Sequence, residues 1–119
     1  MKLFICDDNE QYRTLVKIVL ELAGHEIVGE AGDGKEALAH APTADPDVVL
    51  LDVNMPKMNG FDTLPQLRER LPGAKILILT TGQAPQERQR ALEAGADGFI
   101  VKPTRVFSLD DEIQAALAA

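Results

Sequence analysis

Hydrophobic positions along the chain alternate between two periods. Leu3 to Cys6 is a short continuous apolar run, whereas Tyr12, Leu15, Val16, Val19, Leu20 and Ala23 recur every three or four residues and stop at Gly24. The first pattern predicts a strand and the second a helix ended by glycine. "HEIVGEA" is a second β-like run, and Ala37, Leu38 and Ala41 in "DGKEALAHA" mark one helical face. "DVVLLD" is the most apolar strand; Pro42 and Pro46 are expected to keep the preceding helix from reaching it, because proline lacks an N–H and crowds the turn before it. Leu64, Leu67, Arg68 and Leu71 predict a third helix closed by Pro72 and Gly73, followed by "AKILILT" as a fourth strand. Pro85 suits a first helical turn, with Ala91, Leu92 and Ala94 continuing to Gly95, and "GFIVK" is a fifth strand. The last helix opens with Ser108 and Asp111 at capping-box spacing and carries Leu109, Ile113, Ala116 and Leu117 on one side.

Five β-then-α units, with strands apolar on both faces, predict a doubly wound α/β domain: a five-stranded parallel sheet covered by helices on each side. At 119 residues, one domain spanning 1–119 is the natural reading. Composition changes this picture little. Hydrophobic residues make up 45% and are spread along the whole length, so disorder is not expected. The single cysteine, Cys6, sits in the first apolar run, which excludes a disulfide framework and suits a reducing compartment. No apolar run reaches membrane-span length and no signal-peptide pattern stands at the start, so a cytoplasmic protein without membrane association is expected. The net charge of −7 argues against direct nucleic-acid binding, which relies on Lys and Arg to neutralise phosphates.

Ligands of such sheets sit beyond the carboxyl ends of the strands, where strand order reverses. Those ends carry Asp7 and Asp8 after the first strand, Asp52 after the third, Thr80 after the fourth and Lys102 after the fifth. Each residue has an ordinary alternative. Asp7 could cap the following helix, Thr80 could bond a nearby backbone group, and Lys102 could be a surface charge. Their conjunction is harder to explain that way. Three acids against one lysine leave about two surplus negative charges, which a hard divalent cation such as Mg²⁺ would cancel. A carboxylate can also attack phosphorus to give an aspartyl phosphate, with a lysine and a hydroxyl stabilising the phosphoryl oxygens. Asp52, central to the set, is the candidate nucleophile.

With "CDD", "VVLLDVNMPKMNG", "ILILTT" and "GFIVKP" in place, the chain resembles, over nearly its whole length, the receiver domain of two-component response regulators. The resemblance implies the flavodoxin-like strand order 2-1-3-4-5. It also implies that Asp52 accepts a phosphoryl group from the phosphohistidine of a histidine kinase or phosphotransfer protein. Mg²⁺, with Mn²⁺ able to substitute, would be held by Asp8, Asp52 and the main-chain carbonyl of Asn54, with Asp7 acting mainly through a bound water. Lys102 would contact the phosphoryl group, and the Lys102–Pro103 bond is expected to be cis. Thr80 and Phe99 would act as switch residues, and the fourth helix, fifth strand and fifth helix as the output face. The output would be a downstream protein or a covalently linked effector, and homodimerisation on phosphorylation is compatible with the family. No apolar patch in the sequence demands that dimer.

Several positions depart from the family pattern. "TRVF" lengthens the link into the last helix, Thr81 stands where alanine is common, and Gly82 cannot shield a phosphoryl group, so a short-lived aspartyl phosphate is expected. His25 and His40 lack a ligand partner at local spacing and read as surface residues. Met55, Met58 and Gly60 are expected to shape the loop after Asp52, Gly60 by providing a turn. Two other function classes fit less well. A small Mg²⁺-dependent phosphatase would need a general acid where Asn54 stands, and a phosphate-independent binding module would not need all five strand-end residues. A flavin reading fails because "DDNEQ" repels phosphate instead of cradling it.

Overall fold

The computed structural model describes residues 1–53, 55, 59–81, 85–102 and 106–118. The strands are β1 (Lys2–Cys6), β2 (Glu26–Ala31), β3 (Val48–Leu51), β4 (Lys75–Thr80) and β5 (Gly98–Val101). The helices are α1 (Glu10–Leu22), α2 (Gly34–Ala44), α3 (Gly60–Arg70), α4 (Pro85–Glu93) and α5 (Leu109–Ala118), the last preceded by a 3₁₀ turn at Val106–Ser108. The strands form one parallel sheet in the order β2-β1-β3-β4-β5. Order therefore reverses between β1 and β3, and their carboxyl ends flank the crevice left there.

Alternation along each central strand explains why helices cover both faces. Leu3, Ile5, Val48, Leu50, Leu77 and Leu79 pack against Val16 and Leu20 of α1 and Leu109 and Ile113 of α5. Their neighbours Phe4, Cys6, Val49, Leu51, Ile76 and Ile78 meet Ala37, Leu38 and Ala41 of α2, Leu64 and Leu67 of α3, and Ala91 of α4. Both sides of the three central strands β1, β3 and β4 are buried, which is why these segments read as continuous apolar runs.

Three details differ from the sequence expectation. First, α2 runs through Pro42 and ends only at Asp45, in the left-handed region at φ 51°. A proline there leaves the carbonyl four residues earlier without its helical donor. That carbonyl belongs to Leu38, and Arg70 Nη1 donates to it at 3.1 Å. Second, Leu15 and Ala23 do not join the core. Leu15, Ile18 and Leu22 form an exposed apolar row along α1, with Leu22 77% exposed, so an apolar patch does exist that sequence periodicity alone did not separate from the core face. Third, His25 is not a free surface residue. Its side chain is only 9% exposed, and its Nε2 lies 2.6 Å from Asp110 Oδ1, a partner too far along the chain to be read from local spacing. Among the described residues no helix is long and apolar enough to cross a membrane.

Candidate functional site

The site is built from the ends of β1, β3, β4 and β5. The N–H of Asp7 donates to the Ala31 carbonyl of β2 at 3.0 Å, which carries the sheet ladder one residue past β1. Its side chain is then turned inward. Asp7 Oδ1 accepts the Asn9 N–H at 2.9 Å, and Asn9, not Asp7, caps α1 by accepting the Tyr12 N–H at 2.9 Å. The capping alternative for Asp7 therefore passes to Asn9, a residue equally suited to it. Asp52 extends β3, its N–H donating to the Cys6 carbonyl at 2.9 Å. Asp7 and Asp52 are buried, at 2% and 4% exposure, while Asp8 is exposed.

One carboxylate oxygen from each of Asp7, Asp8 and Asp52 lies within 4.8 Å of the others. Among the described residues, the ammonium of Lys102 faces this cluster. The Lys102 N–H extends the β5 ladder to the Thr80 carbonyl at 2.7 Å. Lys102 Nζ is 2.7 Å from Asp7 Oδ2 and 3.6 Å from Asp52 Oδ2. Thr80 closes β4 in full burial. Three carboxylates with one lysine leave surplus negative charge at a partly open edge, a donor set of hard oxygens suited to a divalent cation.

Surroundings restrict the chemistry further. Burial, reinforced by the charges of Asp52, Asp7 and Asp33, pushes the Cys6 thiol far above its ordinary range. Its Sγ packs 3.3 Å from Met55 Sδ. Cys6 is thus a neutral filler beneath the acids and cannot compete as nucleophile or thiolate ligand. Gly60 acts differently from the turn expected of it. It is the first residue of α3, buried behind the Asn59 cap, and its φ is not positive. A Cβ there would lie 2.6 Å from Val53 Cα and would strike the Asp52 carbonyl oxygen, so glycine is needed for close backbone approach beneath Asp52.

Sequence reasoning missed Tyr12 at the site. Its ring centroid lies 4.4 Å from Lys102 Nζ. Burial first, then the charges of Asp7, Asp52 and Glu112, raise its phenol to about 12, so it stays neutral. Helical spacing assigned Tyr12 to the core face, and only its place one turn past the acid pair hinted at more. Phe99 is half-buried against the core under α4 and lines a groove of about 470 Å³ with Arg88, Val101, Glu112, Ala115 and Ala116. Asn54, Met58, Gly82 and Pro103, with the expected cis bond, lie outside the described residues.

The response regulator receiver domain family matches residues 3–114. The nitrate/nitrite response regulator proteins NarL and NarP of Escherichia coli K12 are similar to the chain. NarL is 38% identical over 101 residues, covering 84% of this chain and 47% of NarL. NarP is 42% identical over 115 residues, covering 96% of this chain and 54% of NarP. The chain thus spans about half the length of the curated relatives it matches. Among solved structures, the CheX–CheY–BeF3–Mg²⁺ complex from Borrelia burgdorferi aligns with a TM-score of 0.86 at 28% identity, over 97% of this chain and 87% of that one.

Proposed function

The chain belongs to the response regulator receiver domain family of two-component systems, and from that membership we propose that Asp52 is its phosphoacceptor. The observation that carries this reading is the convergence of buried Asp52 with Asp7, Asp8 and Lys102 at the carboxyl edge, beside the point where strand order reverses. Asp52 attacks the phosphorus of a phosphohistidine on a histidine kinase or phosphotransfer protein. The P–O bond forms as the P–N bond breaks, and the imidazole leaves by taking a proton. Lys102, already 3.6 Å from Asp52, neutralises an oxygen of the arriving group, and the Thr80 hydroxyl donates to another. Asp8, Asp52 and the main-chain carbonyl of Asn54 would hold Mg²⁺, with Asp7 acting mainly through a bound water, and the Borrelia structure is of a complex that contains Mg²⁺. When bound, the cation lowers the repulsion between the acids and an anionic donor.

The modified Asp52 then carries close to two negative charges, which bias Thr80 and Phe99 and so the groove along α4, β5 and α5. That face passes the signal to a downstream protein or a linked effector, and the domain is a switch assisting its own phosphorylation, not an enzyme acting on others. The apolar row Leu15, Ile18 and Leu22 runs along the helix that starts at the site and offers a phosphodonor protein a place to pack.

Intact mass after incubation with acetyl phosphate and Mg²⁺ tests the proposal. One phosphoryl adduct is expected, absent from Asp52→Asn and from a metal-free control. An unmodified, folded, Mg²⁺-bound protein would overturn it in favour of a phosphate-independent binding module.

A further inference from the structure

Around Lys102 the contacts close into a circuit. Lys102 Nζ donates to Asp7 Oδ2, Asp7 Oδ1 accepts from the Asn9 N–H, Asn9 Oδ1 accepts from the Tyr12 N–H, and the Tyr12 ring lies beneath Lys102 Nζ. We infer that Tyr12 is a positioning residue for phosphoryl transfer, its ring face holding the Lys102 ammonium over the site. This inference rests on the receiver reading.

The chemistry favours an aromatic ring in this place. A lysine ammonium is a compact charge on a flexible four-carbon stem and needs more than one contact to be fixed. A further carboxylate could hold it but would add to the repulsion that an anionic donor already meets from Asp7, Asp8 and Asp52. The face of an uncharged ring attracts the cation without that penalty, and more strongly where water is excluded. The Lys102 side chain is 15% exposed, so its contact with the ring is largely dry. Tyr12 is itself fixed: its backbone is tied to the helix cap, and its side chain packs against the core between α1 and the sheet. The hydroxyl takes no part. It is buried and, among the described residues, has no hydrogen-bond partner. The ring alone is what Lys102 uses, so phenylalanine should serve as well.

The experiment compares the parent with Tyr12→Leu, Tyr12→Phe and Lys102→Ala, and combines Tyr12→Leu with Lys102→Ala. Acetyl phosphate labelling in excess Mg²⁺ should slow about tenfold in Tyr12→Leu, equivalent to ~1.4 kcal/mol. Tyr12→Phe should label at the parent rate. In the Lys102→Ala background, Tyr12→Leu should add no further loss, which a merely structural role would not produce. Independently of labelling, the ε-methylene protons of Lys102 in the folded parent should be shifted upfield by the ring, and that shift should vanish in Tyr12→Leu. A parent that labels while Tyr12→Leu labels equally fast overturns this inference and leaves the receiver reading standing. Unshifted Lys102 protons in the parent overturn it even if Tyr12→Leu does not fold. A parent that cannot be labelled overturns the receiver reading and this inference with it.

Discussion

The two edges of the sheet treat acids in opposite ways. At the amino edge, each of two aspartates serves particular donors: Asp47 Oδ2 accepts the Lys2 N–H at 2.8 Å, and Asp97 Oδ2 accepts both the Ile76 N–H at 2.8 Å and Arg68 Nη1 at 2.7 Å. Arg68 also donates to the Leu71 and Ala74 carbonyls, so Asp97 anchors a small network joining β4, α3 and β5. At the carboxyl edge Asp7 and Asp52 share Lys102, and Asp8 is crowded beside them. Paired acids hold the framework; crowded acids hold it less well and leave charge available to a cation and a phosphoryl group. The same kind of substitution should therefore have different consequences at the two edges.

Glycine gives the largest contrast. A Cβ at Gly60 presses on the backbone of Asp52 and Val53, which cannot move without displacing the site, whereas a Cβ at Gly73 meets nothing within 4 Å. Gly60→Ala should cost about 3 kcal/mol, while Gly73→Ala should change stability by less than about 1 kcal/mol. Urea midpoints at constant slope decide the matter, and equal shifts would remove the contrast. Next in size is Asp97→Ala, which leaves the Ile76 N–H and Arg68 Nη1 without their acceptor. A loss of about 2 kcal/mol is expected. Asp52→Asn should act in the other direction. Neutralising one of two adjoining buried carboxylates relieves repulsion, and a gain of about 1 kcal/mol is expected alongside the loss of phosphoryl labelling. A destabilised Asp52→Asn would mean that the Lys102 contact outweighs the crowding.

The contrast between edges also separates what the sequence made legible from what it did not. Strands with apolar residues on both faces announce a parallel sheet, and once the sheet is assumed, Asp7, Asp52, Thr80 and Lys102 fall at its carboxyl edge by position alone. Tyr12 escaped because a ring can serve the core with one part and a cation with another, and periodicity records only the first. Gly60 was read for its backbone freedom when its missing Cβ is what the fold uses. Helix α2 outlasted Pro42 because Arg70, 28 positions later in the sequence, supplies the donor that the proline removed. His25 likewise owes its partner to the tertiary fold. For Tyr12, Pro42 and His25 the deciding contact is distant in sequence, and for Gly60 it is a close approach of backbone, so local pattern carries no trace of either.

The smallest effect concerns the paired acids away from the site. Hydrogen bonds from Lys17 and Arg13 hold the Glu30 carboxyl below its ordinary value, and a bond from His25 does the same for Asp110. Both groups release their protons more readily in the folded chain than in the unfolded one. Their stabilisation is therefore complete above the ordinary carboxylate range and is lost as pH falls from about 4.5 through their lower folded values. Glu30 is 35% exposed and Asp110 29%, so solvent screening keeps the combined contribution to about 1 kcal/mol. Denaturation of the parent and of a Glu30→Gln, Asp110→Asn double variant should give stabilities that differ near neutral pH and converge in acid. A gap that stays constant across that range would show that these pairs act through packing and not through charge, and that the pairing of acids outside the site contributes nothing that protonation can remove.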